Sequence, residues 1–438
     1  MKYTSHMYIF FILIKNNNGD YMNTIWYQPY KTYPTLKNNL TTDILIIGGG
    51  LTGILTAYFL KDTNKKITIV EAKHIGQGNT GHATAKVTSQ HGLIYHKHSK
   101  KKAQLYYQAM QYSLNQYIDL SKKYDFDLEI KDHYIFSKNI SELEAEINAY
   151  KKLKIPYLFK KYRHNYMIGF KNQLQINPLK LIHCLAKNLN IYENTRIIKI
   201  ENHSAYTHQY KIKANMIIVA THYPIMKIKG LYPLKLYQQK SAIIAYKNIK
   251  PLDNMYLEAY GHLSLRSYGD YTLVVSPSKR TGCTKNLYQE IEEFVATHFP
   301  QAIEVKRWIN QDCMSLDQIP YIGKYSILSH NLYVATGYNE WGFTSSMLAA
   351  KIISDMINGK KNQYQELCKP YRPYPLVPVF KQMSIVLYHF LFTKGKRCPH
   401  LGCHLKKIGQ HYECPCHGSS FKDTGAIINN PSIKDLHS

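Results

Sequence analysis

Cysteine and histidine residues near the C terminus form the chain's most specific chemical pattern. Two Cys–His pairs follow a C-x-H … C-x-x-H arrangement with thirteen residues between the pairs, and they are Cys398, His400, Cys414 and His417. Thiolate sulfur and imidazole nitrogen at such short spacings are typical ligands of a small metal site. Two more cysteines, Cys403 and Cys416, lie in tight loops beside the pairs. A small zinc site is one interpretation, and the two extra cysteines argue against it.

A second pattern, near the other end of the chain, is rich in glycine. Gly48, Gly50 and Gly53 have the G-x-G-x-x-G spacing, after an apolar run at 44–47 and before an apolar pattern at helical spacing. In dinucleotide-binding folds these glycines permit a tight turn, a close approach of the backbone to a pyrophosphate, and close helix–strand packing. The sequence therefore predicts a strand, a turn and a helix that bind a dinucleotide.

The elements around this turn supply the remaining contacts to the nucleotide. Leu51 and Thr52 begin the predicted helix, where N–H groups and the helix dipole favour a phosphate. The next predicted strand, at 67–70, leads to Glu71, about twenty residues after the turn, which is the position expected for an acid that binds ribose hydroxyls.

The loop at 76–92 is dominated by small residues, as expected where backbone crowds against a cofactor. Its segment Thr-Ala-Lys-Val-Thr-Ser-Gln-His, at 84–91, resembles that of flavin-dependent oxidoreductases of the D-amino-acid oxidase and glycine oxidase superfamily. This resemblance implies FAD as the cofactor. It also implies FAD contacts in this loop and in three later segments, at Thr80, Gly81, Thr84, Ala85, Lys86, Ile197, Ala220, Thr221, Gly337, Trp341 and Gly342.

Strand-like runs dominate residues 235–276, and we expect an antiparallel sheet that covers the flavin and holds the substrate. Arg266 is a candidate partner of a substrate carboxylate, because a guanidinium can bind a carboxylate through two hydrogen bonds. An ordinary surface salt bridge is the alternative for this residue. His222 is a candidate for contact with the flavin, and a structural turn residue is an equal alternative.

The C-terminal pattern resembles that of Rieske [2Fe–2S] proteins. The resemblance implies that two cysteines bind one iron and two histidines bind the other, the cysteines being Cys398 and Cys414 and the histidines His400 and His417. It also implies a disulfide between Cys403 and Cys416. Upstream of this motif the apolar run Ser384–Phe392 leaves room for only one or two strands.

The predicted fold is α/β, with a Rossmann-like FAD-binding βαβ unit, an antiparallel substrate sheet and a small all-β Rieske domain. We expect an extension that is not part of the fold at 1–21 and the oxidoreductase at 22–365. A stiff proline-rich linker is expected at 366–382, and the Rieske domain at 383–438.

The net charge of +27 invites a nucleic-acid interpretation. Only seven of the 56 basic residues are arginine, and the lysines are dispersed among 39 tyrosines, so we expect a compositional bias and no specific nucleic-acid partner. We also expect no transmembrane span. The four cysteines outside the motif are dispersed singles, which is typical of reduced thiols and favours a cytoplasmic location.

Two redox groups in one chain imply a relay of electrons. A flavin takes two electrons and a Rieske cluster takes one at a time, so we expect a small organic substrate to reduce the flavin and the flavin to reduce the cluster. Family resemblance suggests an amine or amino acid, with an unknown electron acceptor. Two alternatives stay open: an electron-transfer module without an organic substrate, and a plain flavin oxidase with a zinc-bound docking module.

Overall fold

The computed structural model describes residues 24–226, 229–260, 263–373 and 375–436. The expected extension at 1–21 lies outside the described residues. The helices of the described part are α1 Leu51–Leu60, α2 Asn79–His82, α3 Lys100–Ser121, α4 Ser141–Leu153, α5 Pro178–Ala186, α6 Tyr232–Lys235, α7 Gln289–His298, α8 Gly342–Ile357, α9 Gln365–Cys368 and α10 Leu376–Leu391.

The strands of the described part fall into three sheets. In chain order they are β1 Leu40–Ile47, β2 Ile67–Val70, β3 Lys86–Val87, β4 Glu129–Ser137, β5 Leu158–Tyr162, β6 Asn165–Gln175, β7 Ile191–Tyr192, β8 Lys199–Glu201, β9 Ser204–Tyr206, β10 Lys211–Val219, β11 Leu236–Lys247, β12 Met255–Glu258, β13 Ser264–Tyr268, β14 Tyr271–Val275, β15 Lys279–Arg280, β16 Ile303–Ser315, β17 Tyr321–Lys324, β18 Leu332–Thr336, β19 Lys406–Ile408, β20 His411–Glu413, β21 Ser420–Lys422 and β22 Ile427–Asn429.

The first sheet has the order β17-β18-β10-β1-β2-β7, and its central strands run parallel. Ile44 pairs with Ile67 on one side and with Met216 on the other, so β1 lies at the centre. Its apolar run is buried on both faces, as expected for a parallel strand covered by helices. The predicted strand–turn–helix unit is therefore confirmed, and its glycine turn leaves the carboxyl end of β1.

The second sheet has ten strands in the order β15-β11-β14-β13-β12-β4-β6-β3, with β16 on β11 and β5 on β6. All its pairings are antiparallel except that of β4 with β12. The long pair β11–β16 runs from Leu236 opposite Ser315 to Lys247 opposite Ile303. The structure thus contains the largely antiparallel sheet that the sequence predicts.

The C-terminal region contains a four-stranded antiparallel sheet, β19-β20-β21-β22. The strands expected at Ser384–Phe392 are absent from the described residues, because this run is the second half of α10. A short apolar run rich in β-branched residues does not distinguish strand from helix, and here it continues a helix that begins directly after Pro375. Among the described helices, none combines the length and the apolar character that a bilayer crossing needs.

Candidate functional site

A cavity of about 670 Å³ lies against the glycine turn and is lined by residues of both large sheets. Fourteen of the seventeen predicted cofactor residues line it. They are Gly48, Gly50, Leu51, Thr52, Glu71, Thr80, Thr84, Ala85, Lys86, Ile197, Ala220, Thr221, Trp341 and Gly342. Gly53, Gly81 and Gly337 lie outside the lining. The structure therefore brings residues from six separate segments of the chain to one cavity.

In the glycine turn, neighbouring backbone segments lie so close together that a side chain would not fit between them. Gly48 has φ +114°, and a Cβ added there would overlap the carbonyl oxygen of Ala220 on the neighbouring strand. A Cβ at Gly53 would overlap the carbonyl oxygen of Gly48, so Gly53 allows α1 to pack on β1. These backbone contacts hold the turn and the start of α1 against the strands, so that the helix start at Gly50 and Leu51 borders the cavity, which fits the pyrophosphate of a dinucleotide.

Glu71 lies at the end of β2, as predicted, and its carboxylate is held by the backbone. One oxygen accepts a hydrogen bond from the Gly49 N–H (2.7 Å) and the other accepts one from the Lys73 N–H (2.9 Å). Burial raises the pKa of Glu71, while these two donors and the charge of Arg196 oppose the increase. The fixed carboxylate, with lone pairs to spare, fits a pair of ribose hydroxyls.

The small-residue loop closes over the helix start and carries a buried lysine. Thr80 Oγ1 accepts a hydrogen bond from the Leu51 N–H (3.1 Å). Lys86 Nζ donates to the carbonyl of Tyr256 (2.8 Å) and to Ser264 Oγ (2.6 Å). Burial, with a contribution from a neighbouring guanidinium, lowers the pKa of Lys86 well below its ordinary value. The lysine thus joins the loop to the antiparallel sheet at the edge of the cavity.

The N-terminal end of α8 also lines the cavity. Gly342 is the first residue of this 16-residue helix, and Trp341 precedes it. The Trp341 ring stacks on His91, with 4.7 Å between ring centroids and 8° between planes. A helix N-terminus favours negative charge, and so this end of α8 fits the flavin pyrimidine, where reduction adds charge.

The structure contradicts the expected role of Arg266. Its side chain is fully buried and does not line the cavity. Nη1 donates to the carbonyls of Thr84, Ala85 (3.0 Å) and Ile176 (3.4 Å), so the guanidinium lies beneath the small-residue loop. Ser264, on the same face of β13, lines the cavity, but Arg266 lies two residues further along the strand, where the loop at 84–85 covers that face. Arg266 therefore positions the loop, and it is neither a surface residue nor a contact for substrate.

His222 does line the cavity and has an unusual backbone, with φ +65°. Burial lowers the pKa of His222 to about 4, so the ring is neutral at pH 7. Its carbonyl accepts a hydrogen bond from Thr336 Oγ1 (2.5 Å). The residue that follows it, Tyr223, faces the cysteine and histidine loops, so His222 lies between the two candidate sites.

Two cavity carboxylates carry no role in the sequence prediction. Asp312 accepts hydrogen bonds from Asn79 Nδ2 (3.1 Å) and Asn310 Nδ2 (2.7 Å). Burial and the charge of Glu340 raise the pKa of Asp312 to about 7. Glu340 lines the same cavity at its exposed edge and accepts a hydrogen bond from Ser278 Oγ (2.5 Å). The only sequence signal for Asp312 is that it is an acid within a strand of mostly buried residues. Whether its side chain faces the cavity depends on the register of that strand.

The two ligand loops have the same backbone geometry. In the first, the Gly402 N–H donates to the Cys398 carbonyl (2.9 Å) and the Cys398 N–H donates to the Cys403 carbonyl (2.9 Å). In the second, Gly418 donates to Cys414 (2.9 Å) and Cys414 donates to the Ser419 carbonyl (2.8 Å). Both glycines have positive φ, +78° and +84°, which explains the C-x-x-x-G spacing that the loops share.

The predicted ligands converge between these loops. The ring centroids of His400 and His417 lie 5.2 Å apart, and Cys398 and Cys414 are both buried in one cluster of side chains. His417 Nε2 donates to the carbonyl of Pro233 (3.0 Å), while Nδ1 is buried and has no hydrogen-bond partner among the described residues. A histidine fixed in this way presents a free lone pair, as a metal ligand requires. The donor set therefore fits a cluster with two sulfur and two nitrogen ligands.

The predicted disulfide between Cys403 and Cys416 is absent from this structure, in which both residues are free thiols. Their sulfur atoms and that of Cys414 all lie within 4.8 Å of one another. A disulfide needs one pair of sulfurs at about 2.05 Å, whereas here three sulfurs share one region. The prediction of a metal site is supported, and that of a covalent link is not.

The cluster loops pack directly on the oxidoreductase region. The Tyr223 ring lies 6.0 Å from the ring centroids of both His400 and His417. Gln238 Nε2 donates to the His417 carbonyl (2.6 Å), and Gln311 Nε2 donates to Gln238 Oε1 (2.7 Å). Two segments of the C-terminal region also line the cofactor cavity, at 428–430 and 432–433. The two candidate sites thus share one boundary.

Comparisons with known proteins agree with this geometry. The family model described as FAD dependent oxidoreductase matches residues 43–356, and the Rieske [2Fe-2S] domain model matches residues 380–438. The chain is 29% identical, over 92% of its length and 94% of the relative's, to YhfW of Bacillus subtilis (strain 168), which is named as a Rieske 2Fe-2S iron-sulfur protein. It is 22% identical to the gamma-glutamylputrescine oxidoreductase of Escherichia coli (strain K12), over 79% of this chain and 91% of that protein.

Solved structures show the same fold. Glycine oxidase from Geobacillus kaustophilus superposes with a TM-score of 0.68 at 16% identity, over 77% of this chain and all of that one. L-Proline dehydrogenase from P. horikoshii superposes with a TM-score of 0.65 at 18% identity, over 76% and 98%. The chain belongs to the FAD dependent oxidoreductase family and carries a C-terminal Rieske domain, so its cofactors are FAD and a [2Fe–2S] cluster.

Proposed function

We propose that this FAD-dependent oxidoreductase oxidises a small amine or amino acid and passes the electrons from FAD to its own [2Fe–2S] cluster, and from there to an acceptor that is not identified. When bound, FAD takes two electrons from a C–H bond and the cluster takes one at a time. Histidine ligation gives Rieske clusters potentials of about −150 to +300 mV, which favours transfer away from the flavin.

The observation that carries this proposal is the shared boundary of the two sites. Thr221 and His222 line the cavity, and Tyr223, the next residue, contacts the rings of both histidine ligands. Asn430, from the Rieske domain, donates to the carbonyls of Thr221 and Tyr223 (3.3 Å for the latter). Three consecutive residues therefore connect the flavin cavity with the cluster loops.

Buried amides hold this boundary in one arrangement. Gln238 and Gln311 form a chain of hydrogen bonds that ends on the carbonyls of His417 and of Gly418 (3.0 Å from Gln311). Buried polar groups that satisfy one another in this way fix a unique geometry, because any shift leaves a group unpaired. A fixed separation between the two redox groups is what repeated single-electron transfer requires.

The substrate class rests on the relatives and on the charge of the cavity. Glycine oxidase, L-proline dehydrogenase and gamma-glutamylputrescine oxidoreductase are named for amine or amino-acid chemistry. The carboxyl groups of Asp312 and Glu340 both line the cavity, and an ammonium group is their natural partner. With a pKa of about 7, Asp312 can accept the proton that an amine must lose before it is oxidised.

The second candidate function is an electron-transfer module without an organic substrate. The placement of Arg266 favours it, because the arginine expected to bind a substrate carboxylate does not face the cavity. If the substrate is an amino acid, its carboxylate has to bind another cation that lines the cavity, such as Lys97 or Arg196.

A cytoplasmic location is part of the proposal. The cysteines outside the ligand loops, Cys184, Cys283, Cys313 and Cys368, are all free thiols. Unpaired thiols are typical of a compartment kept reduced by glutathione and thioredoxin.

The test is anoxic mixing of the purified holoprotein with a panel of amines and amino acids. Flavin absorbance and the paramagnetic signal of the reduced cluster are followed together. We expect one substrate class to bleach the flavin and then to produce the cluster signal. Asp312→Asn should bind that class more weakly, whereas Asp119→Asn, at an exposed position on α3, should behave like wild type.

Two results would decide against parts of the proposal. If a chemical reductant produces the cluster signal but no amine bleaches the flavin, the electron-transfer module is the better description. If an amine bleaches the flavin and the cluster stays oxidised while iron and sulfide are present in full amount, the relay is wrong and the flavin site works alone. Metal analysis that finds zinc in place of iron would restore the docking-module interpretation.

A further inference from the structure

Helix α10 exposes an apolar face next to the cluster loops. Only Val379 and Gln382 of its sixteen residues are buried. Six large apolar side chains of the helix are more than half exposed, and they are Leu376, Val377, Phe380, Leu387, Tyr388 and Leu391. Positions 377, 380, 387 and 391 recur at intervals of three, four or seven residues, which places them on one side of a helix. The exposed residues therefore form an apolar stripe along one side of the helix, with Ser384 as its one polar member.

This stripe is concentrated compared with the rest of the described surface. Of the 17 large apolar side chains that are exposed in the described residues, eight lie between Leu376 and Phe392. The others are dispersed over strands and loops, for example Ile130 on β4 and Phe159 on β5. Scattered exposed apolar residues are normal, whereas a cluster on one helix indicates an interaction surface.

The contacts of the buried side of α10 determine which way the apolar stripe faces. Gln382 Oε1 accepts a hydrogen bond from Arg280 Nη2 (2.7 Å), and Gln382 Nε2 donates to the carbonyl of Leu236 (3.3 Å). At the other end, the His404 N–H donates to the carbonyl of His389 (2.9 Å). These contacts attach one side of the helix to the oxidoreductase domain and to the first ligand loop, and so the opposite side faces outward.

The segment of sequence that carries the stripe is basic. Between residues 367 and 412 the sequence contains eight lysines and arginines and no aspartate or glutamate. Lys381, on the helix, and Lys394 and Lys406, close to its C-terminal end, are exposed. An apolar face bordered by lysines is the composition of helices that lie in the surface of an anionic bilayer.

Length and charge select this occupant over two others. A 16-residue helix is about 24 Å long, shorter than the roughly 30 Å hydrocarbon core, so it does not span a bilayer. A second copy of the chain would bring one net charge of +27 against another and place two basic regions face to face. An anionic lipid surface satisfies both the apolar stripe and the cations.

We propose that the apolar stripe of α10 binds the surface of an anionic membrane, with the helix parallel to the bilayer plane. The Phe390 ring at the end of the helix lies against Gly402, a residue of the first ligand loop. Binding therefore brings this loop of the Rieske domain to the membrane surface. The proposal does not depend on the identity of the substrate.

The test is flotation of the full-length holoprotein with vesicles of phosphatidylglycerol or of phosphatidylcholine. Wild type should float with phosphatidylglycerol vesicles in 50 mM salt, and at least tenfold less with phosphatidylcholine vesicles or in 500 mM salt. Phe380→Ser combined with Leu391→Ser should reduce flotation at least tenfold. The matched control, Ile130→Ser combined with Phe159→Ser, removes two exposed apolar side chains elsewhere and should float like wild type.

A charge variant tests the basic border separately, since Lys381→Glu with Lys394→Glu leaves the apolar stripe intact. It should reduce flotation on phosphatidylglycerol, with flavin and iron content unchanged from wild type. The proposal is overturned if wild type does not float in 50 mM salt, or if the control pair loses as much binding as the α10 pair. It is also overturned if sedimentation shows a dimer that the α10 pair dissociates while no protein floats, because a second copy would then cover the stripe.

Discussion

The buried ion pair between Arg372 and Asp317 gives the sharpest prediction about the joint between the two domains. Arg372 Nε donates to one carboxylate oxygen of Asp317 (2.9 Å), and Nη2 donates to the other (2.7 Å). The guanidinium also donates to the carbonyls of Pro320 (3.0 Å), Ile319 (2.6 Å) and Lys369 (3.2 Å). Both side chains of the pair are more than 90% buried. The segment that leads into α10 is therefore anchored at this point.

Arg372→Met keeps most of the side-chain volume and removes the charge and its donors. The Asp317 carboxylate then stays buried, with Lys102 Nζ, 3.4 Å away, as its remaining cation. Removal of one partner from a buried pair costs about 3–5 kcal/mol. Because Lys102 stays, we expect a loss near the lower end, about 3 kcal/mol in the free energy of unfolding. Lys122→Met, which breaks the exposed pair with Asp119, should leave the free energy of unfolding unchanged within experimental error.

Urea unfolding of the holoprotein, followed by the fluorescence of released flavin, measures this loss, and its pH dependence tests the cause. Burial raises the pKa of Asp317, but Arg372 outweighs burial and holds the pKa below its usual range. In wild type this stabilisation is present above the unfolded pKa of about 3.9 and is lost as the pH falls through the folded value. In Arg372→Met burial dominates, so the carboxyl group takes up a proton in mild acid and the deficit relative to wild type shrinks from pH 7 to pH 5.

Two results would refute this reasoning. A deficit below about 1 kcal/mol at pH 7 would mean that the pair contributes no more than an exposed one. A deficit that is equal at pH 7 and pH 5 would mean that the loss arises from packing or from the backbone carbonyls, not from the stranded carboxylate. Asp317→Asn added to Arg372→Met should recover part of the loss, because it removes the unpaired charge.

Three further predictions concern the cofactor sites. Gly48→Ala should abolish FAD retention after gel filtration, because its Cβ would overlap a backbone carbonyl, whereas Gly269→Ala, with positive φ but open space, should retain FAD. Gly282→Ala would place a Cβ 2.6 Å from that of Pro415 in the second ligand loop, so stopped-flow reduction of the cluster should slow at least tenfold while flavin reduction is unchanged. The substrate KM should fall as the pH rises through about 7, as the Asp312 carboxyl ionises and binds the ammonium, and Asp312→Asn should lose this step.

The sequence predicts best those features whose residues are contiguous. The glycine turn, the acid at Glu71 and the two ligand loops each depend on fixed short spacings. The turn and Glu71 line one cavity, and the histidine rings of the two loops lie 5.2 Å apart. In each case the spacing reflects a backbone requirement, such as the positive φ of Gly402 and Gly418, which only a few residue types satisfy.

Features that depend on strand register or on distant contacts were less predictable. The burial of Arg266 depends on its distant contact with the loop at 84–85. The direction of Asp312 depends on the register of β16, because a shift by one residue would turn its side chain to the opposite face of the sheet. Their sequence neighbours carry no signal that fixes this register. The prediction of strands at Ser384–Phe392 was wrong for a related reason. The apolar run itself does not specify a helix. The contacts that hold α10 in place are distant in sequence, and they involve Gln382 and His389.

The contacts between the two domains have no sequence motif, and the proposed relay depends on them most directly. Pro233, on the oxidoreductase side, accepts the Nε2–H of the ligand His417, so a backbone carbonyl of one domain sets the tautomer of a cluster ligand in the other. Such a bond is lost if the domains separate, and the histidine would then be free to rotate. In the proposed relay, reduction of the cluster by flavin and the position of the predicted ligand His417 would both depend on this contact between the domains.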